Sequence, residues 1–471
     1  QAGDDTLTID LTGGDFEVPI IVDGGTHTDG DRLIVRDGGG DDHYDLFDNL
    51  LILGGLFPVV VYDAEMLEIL AGGGNDTLTV DYSFPPVTPE SALPITFDGQ
   101  TGNDSLNLVG GQFDTVTHDL TGPGAGSVDV GEGSSITYTG LEPVDMRTST
   151  VKKLIVDLPA GVTDAFLSDF GTAGDNLSQI YSASAAFESI IFQNPTESLQ
   201  LRGKDGSQEV VHVLNLDSSF TADIVVDQST LQLDGNIHSN LFINETATLT
   251  GTGSTSKSLN SQGVIDLGNS GGQLTIGGDL TFTSSGELVA DLNDPTPGQG
   301  FDQLVVGGRV SLAGSLDVGY EAAPSLGSSF RLIDNQGSQP VQGTFANLPE
   351  GLEFQAIVFD PLGTATSALT YEGGTGNDVT IFTPDPDAFT LTVHSASFNE
   401  GSTNLNTPVT LTAKLSNPLA ENLEVEYSLT NGDLEADDFK ANQHSSFVIP
   451  AGQDSYKFTV GNIIGDIDDE S

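Results

Sequence analysis

Apolar and polar residues alternate in short runs along most of this chain. Residues 273–280, Gln-Leu-Thr-Ile-Gly-Gly-Asp-Leu, follow this pattern, and residues 303–310 repeat it. Alternation over about four to six residues, interrupted by Gly-Gly, is typical of short, half-buried strands joined by tight corners. Few segments have a helical period; the best are residues 63–71 and 163–170, and both are short. The pattern therefore predicts an all-β chain.

Two internal repeats indicate how the strands are arranged. Residues 5–35 and 76–108 share three strand-like segments at an offset of 71 to 75 residues, and residues 273–280 match 303–310. The second offset is too short for β-sandwiches of about 100 residues. Stacked strand-corner-strand units have repeats of this size. We predict a right-handed parallel β-helix for residues 1–382, with Gly/Asp-rich repeats in 1–142 and a second part in 143–382.

A glycine followed by Asn-Asp or Asp-Asp and then a β-forming stretch occurs five times. The five copies begin at Gly3, Gly40, Gly74, Gly102 and Gly376. Glycine adopts the positive φ of tight turns, and Asn and Asp hydrogen-bond their own backbone or bind Ca²⁺ through oxygen. In Ca²⁺-binding β-rolls of the RTX type the motif recurs every nine residues or so, whereas these copies are irregularly spaced. We interpret them as isolated structural turns, with Asp76 and Asp104 as metal ligands if this interpretation is wrong.

The charge of the chain excludes several partners. Sixty-nine acidic residues oppose 13 Lys and Arg, which gives a formal net charge of -56. Nucleic acid and anionic lipid would be repelled. The chain contains no stretch of about 18 apolar residues, so the sequence predicts no membrane-spanning segment. The absence of Cys excludes disulfides and thiolate metal sites.

The acidic residues are mainly Asp, which numbers 48 against 21 Glu. Asp is common in turns and as a Ca²⁺ ligand, whereas Glu favours helices. The bias favours turns that also hold Ca²⁺, although a well-solvated, salt-tolerant surface would also explain the charge.

Four motifs in the later part of the chain occur in a fixed order. They are FDQLVVGG at 301–308, VSLAGSL at 310–316, GTFANLPEG at 343–351 and LTYEGGTGNDV at 369–379. Their order resembles the terminal module of autotransporter-type β-strand repeats, which occur in very large bacterial surface proteins. The segment SITYTGLEP at 135–143 resembles another phrase of those proteins. The resemblance implies an extracellular or cell-surface β-solenoid without catalytic activity.

The C-terminal part follows a Pro-rich hinge at 383–387. Within 388–471 the segments FNEG at 398–401, ADDF at 436–439 and DIDDE at 466–470 stand out. They resemble a Calx-β domain, a Ca²⁺-binding β-sandwich, and the chain stops where that family would add its last strands. The resemblance implies Ca²⁺ ligands at one end of the sandwich. These are Glu400, Asp437, Asp438, Asp466, Asp468 and Glu470.

Candidates for catalysis are weak. Arg32 and Arg36 precede acidic residues at 37, 41 and 42, as in a pectin-lyase-like site, but surface ion pairs explain them better. His43 and the other His residues lie too far apart for a zinc site, and no GxSxG motif occurs. A glycosidase would need a carboxyl group of raised pKa, which a sequence does not reveal. We predict no catalytic residues.

The leading hypothesis is a non-catalytic extracellular structural protein, stabilised by Ca²⁺, that serves as an adhesin stalk or a self-assembling filament subunit. The chain begins inside a turn motif and ends in an acidic run, so we expect a homopolymer or a piece of a longer exported chain. Surface glycans are further candidate partners. The alternatives are a carbohydrate-active β-helix enzyme and a Ca²⁺-dependent glycan- or protein-binding module.

Overall fold

The computed structural model describes residues 5–13, 19–23, 30–47, 50–54, 57–62, 64–83, 93–131, 133–204, 208–268, 271–294, 296–385, 389–394, 406–416, 422–428, 439–441, 444–450, 453 and 455–464.

Within these ranges the chain forms β-strands and no helix, which confirms the all-β prediction. The segments with the best helical period contain strands β7 (Met66–Leu70) and β16 (Ala165–Asp169) instead. In β7 the side chains of Leu67 and Ile69 are fully buried, so the buried positions follow the two-residue period of a strand and not a helical period. No helix that could cross a membrane is found in the described part of the chain.

Strands β1–β22 have the following bounds: β1 Thr6–Asp10, β2 Ile20–Asp23, β3 Arg32–Arg36, β4 His43–Phe47, β5 Leu50–Leu53, β6 Phe57–Tyr62, β7 Met66–Leu70, β8 Thr77–Asp81, β9 Ile95–Asp98, β10 Asp104–Val109, β11 Gln112–Gly122, β12 Ala125–Gly131, β13 Ser134–Thr139, β14 Leu141–Met146, β15 Thr150–Asp157, β16 Ala165–Asp169, β17 Leu177–Ser182, β18 Ile190–Gln193, β19 Ser198–Arg202, β20 Val210–Asn215, β21 Asp223–Asp227 and β22 Thr230–Ile237.

Strands β23–β44 follow: β23 Leu241–Ile243, β24 Thr248–Thr250, β25 Ser254–Thr255, β26 Leu259–Ser261, β27 Val264–Asp266, β28 Gln273–Ile276, β29 Leu280–Phe282, β30 Glu287–Leu292, β31 Gln303–Val306, β32 Val310–Leu312, β33 Ser315–Tyr320, β34 Ser329–Asn335, β35 Gln342–Gly343, β36 Glu353–Phe359, β37 Leu362–Gly373, β38 Asp378–Phe382, β39 Leu391–His394, β40 Asn406–Leu415, β41 Leu423–Ser428, β42 Phe439–Ala441, β43 His444–Ile449 and β44 Ser455–Ile464.

From β22 to β36 the strands join three parallel ladders in strict rotation. The first ladder contains β23, β26, β29, β32 and β35. The second runs from the start of β22 through β24, β27, β30, β33 and β36. The third runs from the end of β22 through β25, β28, β31 and β34. Each ladder therefore takes every third strand of the chain.

The shorter internal repeat coincides with this rotation. Leu274 pairs with Leu304 in the third ladder, and Leu280 pairs with Val310 in the first. The longer repeat does not coincide with any pairing, because its matching segments lie in different sheets. Strand β1 belongs to the 15-stranded sheet that contains the first ladder, whereas β8 belongs to the sheet that contains the other two.

Antiparallel excursions interrupt the parallel order in the first half of the chain. Strands β4, β5 and β6, strands β11, β12 and β13, and strands β16, β17 and β18 form three such meanders. Parallel pairing resumes on either side of each meander, as in β14 with β18 and β16 with β20. The sheets are therefore mixed, whereas the sequence predicted parallel strands throughout.

The described chain divides into two compact units, residues 1–383 and 384–471. One apolar core runs through the first unit from Ile9 to Ile381. The second unit has a separate core that includes Phe447 and Phe458, whose rings stack with centroids 4.1 Å apart. It contains a four-stranded and a two-stranded antiparallel sheet. The boundaries predicted at 142 and 382 stay predictions.

Candidate functional site

Three of the five Gly-Asx-Asp turns lie directly above one another. We call the segments 40–42, 74–76 and 102–104 the turn stack. In its outer row, the backbone N–H of Asn75 donates to Asp41 Oδ1 (2.8 Å), and that of Asn103 donates to Asn75 Oδ1 (3.0 Å). The side chains thus join turns that are 34 and 28 residues apart along the chain. The prediction of isolated turns was wrong for these three copies.

The inner row of the turn stack contains Asp42, which is half-buried, and Asp76 and Asp104, which are buried. Asp76 Oδ1 accepts the backbone N–H of Asp42 (2.9 Å), and Asp104 Oδ1 accepts that of Asp76 (2.7 Å). Asp76 and Asp104 have no solvent exposure, and the Oδ2 atom of each has no hydrogen-bond partner among the described residues. Burial raises the pKa of Asp76 to about 6, and the charges of Asp104 and Asp42 add to this effect. Burial also raises the pKa of Asp104.

Glycine is required for the close spacing of these turns. Gly74 and Gly102 have φ values of +145° and +146°, where side chains are rarely tolerated. A Cβ on Gly74 would overlap the carbonyl oxygen of Gly40, and one on Gly102 would overlap that of Gly74. Glycine precedes Asn-Asp at Gly74 and Gly102 because the backbones of neighbouring turns pack too closely there for a side chain.

The turn stack brings together the two weaker predicted metal ligands, Asp76 and Asp104. The ligands implied by the Calx-β resemblance lie outside the described residues. These are Glu400, Asp437, Asp438, Asp466, Asp468 and Glu470. Their role in Ca²⁺ binding stays a prediction.

A different group of acidic residues has the geometry of a cation site. Asp169 ends β16, Asp175 lies in the turn before β17, and Asp217 follows β20; carboxylate oxygens of all three lie within 4.8 Å of one another. The Oδ1 atom of Asp169 is buried and has no hydrogen-bond partner in the described structure. Burial and the charges of Asp217 and Asp175 raise the pKa of Asp169. No Lys or Arg in the described ranges forms an ion pair with any of the three.

Hydrogen bonds hold this cluster in place. Burial alone would raise the pKa of Asp217, but hydrogen bonds from Ser219, Gly174 and Asn194 outweigh it and lower the pKa. Asn194 Nδ2 lies 3.0 Å from Asp217 Oδ1. Asp175 accepts N–H groups of its own turn, from Thr172 and from the first residue of β17. Three fixed carboxylates suit Ca²⁺, which takes six to eight oxygen ligands.

Arg32 and Asp37, two residues considered for a lyase-like site, each have a different structural partner. The Arg32 guanidinium pairs with Glu68 on the neighbouring strand, not with the acidic turn. Asp37 Oδ2 accepts the hydroxyl of Tyr44 at 3.1 Å. His43 is exposed, and its Nδ1 lies 3.1 Å from the carbonyl oxygen of the preceding residue. Arg32 thus forms an ion pair between neighbouring strands, and His43 contacts the backbone of its own turn.

A pocket of about 390 Å³ contains residues that the sequence did not single out. It lies where β14, β17 and β18 meet, and its wall includes Glu142, Tyr181 and Glu188. Glu188 is 7% exposed, and its Oε1 accepts the backbone N–H of Ser189 at 2.8 Å. Burial raises the pKa of Glu188, and the charge of Glu142 adds to this effect. No signal in the sequence would have found the pocket, because strand pairing brings together residues 46 positions apart (142 to 188).

Comparison with models of known protein families and with curated proteins finds no match for this chain. The resemblances to autotransporter-type repeats and to a Calx-β domain therefore stay predictions.

Proposed function

We propose that this protein is a non-catalytic structural protein of the bacterial cell surface or extracellular space, in which residues 1–383 form a right-handed β-helical rod. The observation that carries the proposal is the strict rotation of strands among three parallel ladders from β22 to β36. A chain that coils about one axis distributes its strands in this way. Such a rod gains stability from continuous hydrogen-bonded ladders and a linear apolar core.

Two further features support a rod. The core cluster of the first unit is continuous, so that each coil can bury its apolar side chains against the next. The turn stack adds side-chain hydrogen bonds from one coil to the next at the corners. The formal charge of -56 favours a well-solvated surface and opposes nonspecific association with other acidic polymers.

We further propose that Ca²⁺ stabilises the protein. The cluster of Asp169, Asp175 and Asp217 supports this proposal, because three close carboxylates repel one another unless a cation lies between them. The predicted C-terminal ligands, beginning with Glu400, would supply a second site if the resemblance to a Calx-β domain holds.

Electron microscopy of the whole chain tests the rod. The sheet that contains the first ladder has 15 strands. At about 4.8 Å per strand they span roughly 70 Å. We expect a straight feature of about this length. A compact particle without such a feature would contradict the β-helical proposal.

Analytical ultracentrifugation distinguishes a filament subunit from an adhesin stalk. A filament subunit should form larger species at high protein concentration with Ca²⁺, whereas a stalk that belongs to a longer chain stays monomeric.

The alternative of a carbohydrate-active enzyme is tested by incubating the protein with neutral and acidic polysaccharides. We expect no release of reducing or unsaturated sugar, and release would contradict the non-catalytic proposal.

A further inference from the structure

The pocket between β14, β17 and β18 is of the size that small ligands occupy. Its volume of about 390 Å³ falls within the range of about 300 to 1,000 Å³ that is common for ligand sites. Its wall combines two aromatic rings with two carboxylates, an amide and hydroxyl groups. The lining residues are Glu142, Gln179, Tyr181, Ser182, Ala185, Phe187, Glu188 and Ser189.

An aromatic stack supports one side of the pocket. The ring of Phe166 stacks on Tyr181, with centroids 5.5 Å apart and an interplanar angle of 20°. The ring of His212 stacks on the other face of Phe166 at 4.9 Å and 22°. Because Phe166 covers one face of Tyr181, the face left for a ligand is on the side of β18, where the pocket lies. There the small side chain of Ser189 leaves room beside the ring.

Polar groups surround this free ring face. Glu142 and Gln179 can accept and donate hydrogen bonds at the edge of the pocket, and the carboxyl group of Glu188 lies deeper, anchored by Ser189. An apolar platform next to hydrogen-bonding side chains matches a hexose, which has an apolar C–H face and hydroxyl groups around its rim. Two carboxylates in one pocket disfavour a sugar that carries its own acidic group.

The segment that closes the pocket is fixed before any ligand binds. Asp164 accepts the hydroxyl of Ser182 at 3.0 Å and the backbone N–H of Ser184 at 2.6 Å. The N–H of Ala186 donates to the hydroxyl of Ser182 at 2.9 Å. A wall held in this way loses little conformational entropy when a ligand binds.

We propose that this pocket binds one hexose ring without an acidic group, as part of an extracellular glycan, with the ring stacked on Tyr181 and its hydroxyl groups bonded by Glu142 and Gln179. The proposal adds a ligand to the structural role and requires neither polymer formation nor Ca²⁺.

The test uses the full chain and a fixed panel of probes: cellohexaose, maltohexaose, chitohexaose and hexagalacturonate. Saturation-transfer NMR and titration calorimetry at up to 10 mM sugar measure binding, with chelator present. We expect at least one of the three non-acidic hexasaccharides to bind, and hexagalacturonate to bind at least tenfold more weakly. No binding by the three, or equal binding of hexagalacturonate, would overturn the proposal.

Variants locate the binding at the pocket. Tyr181→Ala should weaken binding at least tenfold, whereas Tyr181→Phe keeps the platform and should stay within about threefold of wild type. Tyr456→Ala is the matched control, because Tyr456 is a partly exposed Tyr in the second unit and should have no effect. Circular dichroism of each variant checks folding. Unchanged binding by a folded Tyr181→Ala protein, or a loss in Tyr181→Phe equal to that in Tyr181→Ala, would place the ligand elsewhere and refute the inference.

Discussion

Replacing Asp76 by Asn should stabilise the protein at neutral pH. The Asn side chain keeps the Oδ1 acceptor for the N–H of Asp42 and removes a buried charge whose other oxygen has no hydrogen-bond partner in the described structure. It also ends the repulsion between Asp76 and the carboxylates of Asp104 and Asp42. The change therefore tests whether the turn stack carries an electrostatic cost.

The pKa of Asp76 sets the size of the effect. The pKa is raised from 3.8 to about 6, which at about 1.4 kcal/mol per unit gives at most roughly 3 kcal/mol. The new amide N–H has no hydrogen-bond partner either, which subtracts about 1 kcal/mol or more. We expect a gain of about 1 to 2 kcal/mol at pH 7.5. For the unit of residues 1–383 this corresponds to a Tm increase of about 1 to 3 °C.

The sign of the pH dependence follows from the direction of the shift. Because the folded-state pKa is raised, the cost is complete above about pH 6 and declines as the pH falls through the folded and then the unfolded pKa. At pH 4.5 only about a third of this cost remains, and the unpaired amide of Asn offsets it, so the difference in Tm between Asp76→Asn and wild type should fall close to zero. Differential scanning calorimetry of both proteins at the two pH values measures it.

Asp41→Asn provides the matched control. Asp41 has the same charge and the same kind of hydrogen bond to the next turn, but its side chain is exposed. We expect its replacement to change stability by less than about 0.5 kcal/mol at either pH. If Asp76→Asn melts below wild type at pH 7.5, or if the difference does not shrink on acidification, the electrostatic account of the turn stack is refuted.

Two further perturbations test other parts of the account. Gly74→Ala should destabilise the first unit by about 3 kcal/mol or more, because φ is +145° and the methyl group would overlap a backbone oxygen. The control is Gly122→Ala, whose methyl group would meet no atom within 4 Å and should change the calorimetric Tm little. Equal effects of the two substitutions would refute the stacking argument. Ca²⁺ at 100 times its Kd should stabilise the chain by about 2.7 kcal/mol, and Asp169→Asn should reduce the accompanying rise in Tm; the absence of any shift at millimolar Ca²⁺ would remove the metal from the proposal.

The alternation of apolar residues was enough to predict the all-β fold and one true pairing. Residues 273–280 and 303–310 match because they occupy equivalent positions in successive turns of the three-ladder rotation. The match between residues 5–10 and 76–81 had no such meaning. Those segments share a turn followed by a strand but lie in different sheets, since the number of residues between strands varies along the chain. The same turn and strand residues recur in these two segments, but the segments do not belong to structural repeats of constant length.

The candidate sites depended on pairings that the sequence did not reveal. Asp76 and Asp104 were recognised as turn residues, but their complete burial follows from the stacking of turns 28 residues apart. Glu188 comes near Glu142 because β14 pairs with β18, and Tyr181 joins them through the antiparallel meander of β16, β17 and β18. Neither the register nor the meander follows from local propensity.

The rotation of strands among three ladders is the central claim, and engineered disulfides test it most directly. The chain has no Cys, so pairs can be introduced without competing thiols. Three double-Cys variants probe neighbours in the first, second and third ladder, respectively: Thr281 with Ser311, Val289 with Asp317, and Thr275 with Val305. Adjacent strands lie about 4.8 Å apart, within reach of a disulfide.

Mild oxidation followed by non-reducing electrophoresis and peptide mass spectrometry reports the bonds. The control pair, Thr275 with Ser311, joins positions in the third and first ladders that are not paired. We expect an intramolecular disulfide in each of the three variants and none in the control. Failure of the three pairs to form, or equal formation in the control, would contradict the stacked three-ladder fold.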